Sequence, residues 1–168
     1  MAQVSIQPKR CNDPGCRGKH AAAERVALAA LLCRERGVQL TKLRQQILEL
    51  LWQSEQPTGA YELMEALRHL ESRNVTPPTV YRSLSFLISQ GLAIKIESWN
   101  AYVPCVHPER GHDHFLFLCS ACRSSVEVED QRLSGVISQA AGSMEFRPQR
   151  RVIEVEGICK RCVSAGSI

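Results

Sequence analysis

An α/β (α+β) chain in two parts, an N-terminal winged helix-turn-helix followed by a small C-terminal α/β domain, is what this sequence predicts. Three observations predict it. Four helical segments precede a two-stranded hairpin, and the fourth opens with Thr76-Pro77-Pro78 and shows a polar outer face. Beyond residue 113 the apolar period shortens to that of strands, placed around one helix. Two C-x-x-C pairs, Cys119-Ser120-Ala121-Cys122 and Cys159-Lys160-Arg161-Cys162, flank that helix.

Taken in order, residues 1–20 combine Pro8, Pro14, Gly15 and Gly18 with lysines and arginines and show no apolar period, which predicts a flexible basic tail. Alanines and leucines over 21–36 favour a helix, ended by Gly37. Thr41 is placed to cap a second helix over 42–54, with Leu43, Ile47, Leu50 and Leu51 on one face. Pro57-Thr58-Gly59 breaks it, and Leu63, Leu67 and Leu70, with Met64 beside them, mark a third helix over 60–72. In the fourth helix Thr76 offers a capping hydroxyl, and the prolines fall where a first turn has no N–H to lose. Val80, Leu84, Leu87 and Ile88 should face inward and Thr79, Arg82, Ser83 and Ser89 outward, with Gly91 ending the helix. Strands over 92–97 and 102–103 flank Ser98-Trp99-Asn100 as a hairpin. These elements make 21–103 a winged-helix domain. The polar stretch 104–113 reads as a hinge, and strands at 114–118, 126–129 and 151–158 with a helix at 131–141 make a second domain over 114–168. So small a unit is marginal alone, so a metal ion or a partner subunit is expected to help hold it.

The 168 residues carry a net charge of +4, and residues 1–36 hold the excess, with seven basic side chains against three acidic ones. That balance excludes a polycationic charge sponge, and 44% hydrophobic with 23% charged residues excludes wholesale disorder. The longest apolar run, 26–33, is eight residues, where a membrane helix needs ~20. The first ten residues hold no apolar core of a secretory leader, so the expectation is a cytoplasmic protein whose eight cysteines are reduced thiols.

Each C-x-x-C places two sulfurs on one tight turn, and two such clasps make a closed tetrahedral thiolate site for structural zinc: Cys119, Cys122, Cys159 and Cys162. Two unrelated thiol pairs, or a thioredoxin-like redox centre, would be the alternative; the latter needs a strand-to-helix junction in a βαβ unit, and none is read here. Cys105, His107, His112, His114 and Glu127 form a looser group whose mixed donors suit zinc in a reversible hinge site. Solvated histidines and a packed cysteine would account for it equally. Cys11-x4-Cys16-x3-His20 in the tail could hold a third ion, though idle thiols are the commoner state of such a tail. Tyr81 and Arg82, early in the fourth helix, stand where a recognition helix reaches base edges, and Arg matches guanine O6 and N7. Lys42 and Arg44 could meet phosphates. A solvated polar face explains these last residues as well.

Gln39-Leu40-Thr41 with Arg44, Ala60-Tyr61-Glu62-Leu63, Pro77-Pro78-Thr79-Val80-Tyr81-Arg82-Ser83-Leu84, Leu87, Gly91, Gly111-His112-Asp113-His114-Phe115 and both C-x-x-C pairs occur in order from about residue 21 to 162. Together they resemble the ferric uptake regulator family, and Cys105 with the second C-x-x-C resembles its zinc uptake regulator branch. The resemblance implies a homodimeric repressor that binds palindromic double-stranded operator DNA with zinc as corepressor and represses zinc uptake genes. It implies at least two zinc ions per protomer, no membrane, no small-molecule substrate and no enzyme activity. Arg82 and Tyr61 would contact DNA, with Tyr81, Thr79 and Arg44 beside them. The four paired cysteines would hold structural zinc, and Cys105, His112 and Glu127 would be regulatory ligands. The branch commonly takes a further ligand at the start of the hairpin, where this chain has Ile94; His114, His107 or water would complete the set. Rival readings are an iron- or peroxide-responsive regulator of the same family, and a zinc enzyme of the nucleobase deaminase type, which pairs its C-x-x-C with an upstream H-x-E.

Overall fold

The structure, a computed structural model, describes residues 19–70, 75–109 and 113–166. The expected tail therefore lies outside the described residues except at its end, where the first helix has already begun. The chain divides into two compact units, one within 13–111 and one within 112–168.

In the first unit α1 (Lys19–Glu35) buries Ala22, Val26, Ala29 and Cys33, spaced four, three and four residues apart as one helical face requires. Its partner α2 (Lys42–Gln53) buries Ile47, Leu48, Leu51 and Trp52, while Leu43 and Leu50 are half-buried. The buried arc is rotated from the expected one because α2 is central, meeting α1, α3, α4 and the hairpin. Thr58–Gly59, expected only to break the chain, forms the short strand β1, and the Gly59 N–H donates to Glu62 Oε2 at 2.8 Å, half of a capping box for α3 (Ala60–Leu70). The core face of α3 is Ala60, Leu63, Met64 and Leu67; Leu70, expected inside, is 61% exposed at the helix end.

Helix α4 (Pro77–Ser89) buries Val80, Ser83, Leu84 and Leu87, with Ile88 half-buried. Ser83, expected outward, can go inside because its hydroxyl donates to the Thr79 carbonyl at 2.9 Å. The helix stops at Gly91, whose φ of 64° is costly for other residues, and the Leu92 N–H closes back on the Leu87 carbonyl at 2.8 Å. Strands β2 (Ala93–Ile96) and β3 (Ala101–Pro104) follow, giving the antiparallel order β1-β3-β2 with Ile94 opposite Val103. Aromatic residues being scarce, the fully buried side chains here are aliphatic: Ile47, Leu51, Leu63, Leu67, Leu84 and Ile96 among them.

The second unit is a three-stranded sheet of order β5-β4-β6. Central β4 (His114–Cys119) runs antiparallel to β5 (Ser125–Val128) and parallel to β6 (Val152–Gly157). Between the outer strands lies α5 (Gln131–Ser143), capped by Asp130, which accepts from the Arg132 N–H at 2.9 Å. A final turn, α6 (Lys160–Ser164), was not expected from the sequence. Phe115, Leu116 and Leu118 are buried, but α5 buries only Ala141. Phe117, Ile153 and Val155 share one face by register and stand half-exposed. No helix among the described residues is long and apolar enough to cross a membrane.

Candidate metal centre and nucleic-acid face

Cys119 is the last residue of β4, and its carbonyl accepts from the Arg123 N–H at 2.9 Å in a turn that carries Arg123 at φ 57°. That turn swings Cys122 back beside Cys119. Parallel pairing of Cys119 with Gly157 then delivers the second motif to the same place, with Cys159 at the N-cap of α6 and Cys162 inside it. One ligand atom from each of the four cysteines lies within 4.8 Å of the others. Zinc–sulfur bonds of ~2.3 Å in a tetrahedron set sulfurs roughly 3.8 Å apart, and Cys122 Sγ lies 3.8 Å from Cys159 Sγ. The donor set fits a structural zinc.

The electrostatics agree. The Ser124 hydroxyl and amide, with Arg161 nearby, bring the Cys122 thiol down to about 5. Backbone N–H groups of Cys122 and Cys159 lower Cys119, the Cys159 N–H lying 3.3 Å from its sulfur. Cys162, hydrogen-bonded to Cys159 and desolvated, is pushed up to about 12. Successive thiolates in so small a ring repel, so its last protons leave readily only when a cation replaces them.

On the same sheet His114 Nδ1 lies 2.7 Å from Glu127 Oε1, with side-chain exposures of 16% and 6%. The register that pairs Leu116 with Glu127 puts both on one face. A carboxylate this close fixes the imidazole's orientation, as ligand histidines require. His112 lies outside the described residues, as do Cys11 and Cys16 and the side chain of His20. In the first unit Cys105 is buried just past β3, its N–H donating to the Leu92 carbonyl at 3.0 Å. His107 is engaged elsewhere, its Nδ1 lying 3.1 Å from Glu109 Oε1. Ile94 is 1% exposed, a core residue of β2.

Thr79, Tyr81 and Arg82 stand exposed in the first turns of α4, and Tyr61 on α3 is 67% exposed. Arg44 is held otherwise than an open phosphate contact: its guanidinium lies 3.5 Å over the Phe86 ring and donates to the Gln39 carbonyl at 2.6 Å. Both contacts tie Arg44 to α4 and to the stretch just before α2. Nothing in the sequence pattern marks Ser124 and Arg161 beside the thiols, or the long-range contacts of Arg25 and Arg36.

The model of the ferric uptake regulator family matches residues 35–156. The chain belongs to that family. It is 35% identical over 146 residues to the zinc uptake regulation protein of Escherichia coli K12, covering 86% of this chain and 85% of that one. A zinc uptake regulation protein of Mycobacterium tuberculosis H37Rv is 30% identical over 131 residues, 76% of this chain and 97% of that one. Among solved structures, a zinc uptake regulator complexed with zinc and DNA superposes with a TM-score of 0.82 at 34% identity, covering 88% of this chain and 98% of that one. Holo XcZur gives 0.76 at 37% identity, with 84% and 98% covered. The fold of the family, a winged helix joined to an α/β domain, is the fold described above.

Proposed function

We infer that the chain is a zinc-responsive, DNA-binding repressor of the ferric uptake regulator family, acting as a homodimer on palindromic operators. The observation that carries this is the likeness over nearly the whole chain to a regulator solved with zinc and DNA, in a molecule whose α4 displays Tyr81 and Arg82. Arg82 reads a guanine edge; Tyr81, Tyr61 and Thr79 meet the backbone and sugar around it. Half-exposed Phe117, Ile153 and Val155 share one face of the second sheet, an apolar surface of the kind that a second copy of the chain covers.

Cys119, Cys122, Cys159 and Cys162 hold structural zinc. Cys105, His112, His114 and Glu127 are the regulatory ligands, with His114 supplying the donor that Ile94 cannot. Zinc, when bound, supplies a dication that donors from separate stretches of chain share. Cys105 and the His114–Glu127 pair belong to different units, so a shared ion narrows the orientations open to the winged helix and raises the binding-competent fraction. A thiolate at Cys105 favours zinc over the harder iron or manganese, which argues against an iron or peroxide sensor.

The protein is no enzyme on this reading. The H-x-E spacing of a deaminase does occur, at His69-Leu70-Glu71 and His107-Pro108-Glu109, so the sequence does not exclude that class by its absence. What argues against it is the donor set: four thiolates around one zinc would fill its coordination and leave no position for the water a hydrolytic zinc activates. A repressor of this kind works in the cytoplasm, where its DNA is. The test is operator binding across a buffered free-zinc series with metal counted per protomer. Binding should rise with zinc beyond the first equivalent; equal binding in chelator and in saturating zinc would sink the reading.

A further inference from the structure

Arg36 directly follows α1, and its backbone is fixed there, its N–H donating to the Leu32 carbonyl at 3.0 Å. Gly37 takes φ 67°, its N–H donating to the Arg34 carbonyl at 3.1 Å, and the Val38 N–H donates to the Cys33 carbonyl at 2.9 Å. From this anchored position the guanidinium reaches two stretches far away in sequence. Nη1 donates to the carbonyl of Gln90, the C-cap of α4. Nη2 donates to the carbonyl of Pro108 at 3.0 Å. The first is the end of the helix bearing Tyr81 and Arg82; the second lies just past Cys105. Arg25, also on α1, braces the same stretch, donating to the Val106 carbonyl at 2.7 Å while its guanidinium sits 5.5 Å from the Trp52 ring centroid.

We propose that Arg36 is a positioning residue that passes metal capture at Cys105 to the recognition helix α4. The proposal rests on the zinc-dependent operator binding argued above. Orphan carbonyls at a helix C-terminus favour a cation, so one prong of Arg36 is well placed at Gln90 whatever the rest does. The other prong depends on where the chain after Cys105 lies. A shift of that chain lengthens the Pro108 bond, and the rigid guanidinium cannot follow one carbonyl without turning away from the other. Lysine, with a point charge in place of a planar fork, cannot hold both. Two sites coupled in this way must be coupled reciprocally: zinc tightens DNA by the same factor by which DNA tightens zinc.

The experiment uses the full chain with a palindromic duplex selected by the wild type at saturating zinc from a random-sequence library. Zinc affinity of the regulatory site is read by chelator competition with and without that duplex, on wild type, Arg36→Ala, Arg36→Lys and Arg34→Ala. Arg36→Ala should keep its metal per protomer, its dimer and its zinc affinity without DNA, while the tightening by DNA falls about tenfold. Arg36→Lys should recover part of it. Arg34→Ala, which removes an equal charge from the same helix end, should keep the full factor. Full tightening in Arg36→Ala, or equal loss in Arg34→Ala, would overturn the proposal. Should Arg36→Ala unfold the winged helix, Arg36→Lys decides alone, and an unchanged factor there overturns it. A wild type with no tightening at all would sink the zinc-repressor reading and this one with it, a result distinct from coupling that merely survives the substitution.

Discussion

The two units solve the problem of a small core in opposite ways. The first surrounds α2 with three helices and a sheet, and fully buries Ile47, Leu51, Leu63, Leu67 and Leu84. The second has one sheet, the short α6 and a longer helix, α5, that buries a single alanine, and it leaves Phe117, Val136, Met144 and Phe146 at 46%, 64%, 70% and 65% exposure. Apolar burial can hold the first; the second has too little and closes its chain with four sulfurs instead. On the reading proposed above, stability in one region is a packing property, and in the other it leans on metal and partner.

The sharpest way to break this comparison is to remove a sulfur. Cys119→Ser or Cys159→Ser should unfold the second unit or leave it monomeric, while the first keeps its helical circular dichroism and its own thermal transition. A folded dimer with one fewer zinc would show that packing holds the second unit after all. In the first unit Leu67→Ala, at 0% exposure, should cost about 2–5 kcal/mol in denaturant unfolding whether zinc is present or chelated. A zinc-dependent loss there would mean the two units do not stabilise independently.

Much of this contrast is legible in the sequence. Thr76-Pro77-Pro78 marks where α4 begins, and the C-x-x-C pairs mark the four thiols that the second unit brings together. What escapes is what lacks a local pattern. β1 is two residues long and exists only because β3 is there to pair with it. Ser83 reads as polar and outward until its hydroxyl is seen bonded to its own helix. Arg44 reads as a possible phosphate contact and Arg36 as no more than charge, yet each donates to a backbone carbonyl, at Gln39 and at Gln90, the second of these 54 residues away. Side chain to backbone contacts at such separations leave no periodicity to read.

A smaller effect tests the sensing site against the structural one. Cys105→Ser should leave the fold, the dimer and the four-thiolate zinc intact, and shift the zinc midpoint of operator binding upward. An unchanged midpoint would remove Cys105 from the ligand set. Arg82→Ala should cost about 1–3 kcal/mol on operator DNA and relax specificity at one base position per half-site. Loss that is uniform across operator variants would make Arg82 a phosphate contact.

The smallest expected effect compares the two helix starts. Thr76 occupies the N-cap of α4 with extended backbone, yet makes no side-chain cap bond. The reason lies in the sequence: of the two N–H groups such a hydroxyl could serve, Pro78 removes one, and the other, the Thr79 N–H, is taken by the Thr76 carbonyl at 3.0 Å. Its hydroxyl faces the Thr79 hydroxyl instead, 2.9 Å away on an exposed surface. Thr76→Ala should therefore cost less than ~0.5 kcal/mol, below the usual loss of a cap. Asp130 at the start of α5 is different, since it accepts from both the backbone and the side chain of Arg132. Those bonds take its carboxyl from an ordinary 3.8 down to about 2, the Arg132 side chain contributing most. A carboxyl lowered in the folded state stabilises above its unfolded value, and that stabilisation is lost as pH falls through the folded one. Asp130→Ala should thus destabilise the second unit more than Thr76→Ala does the first. The charge-dependent part of the penalty should be full at pH 7, shrink from about pH 4 downward and be lost only below about pH 2. Equal losses at pH 7, or a pH-independent loss for Asp130→Ala, would show that the aspartate's charge plays no part in starting α5.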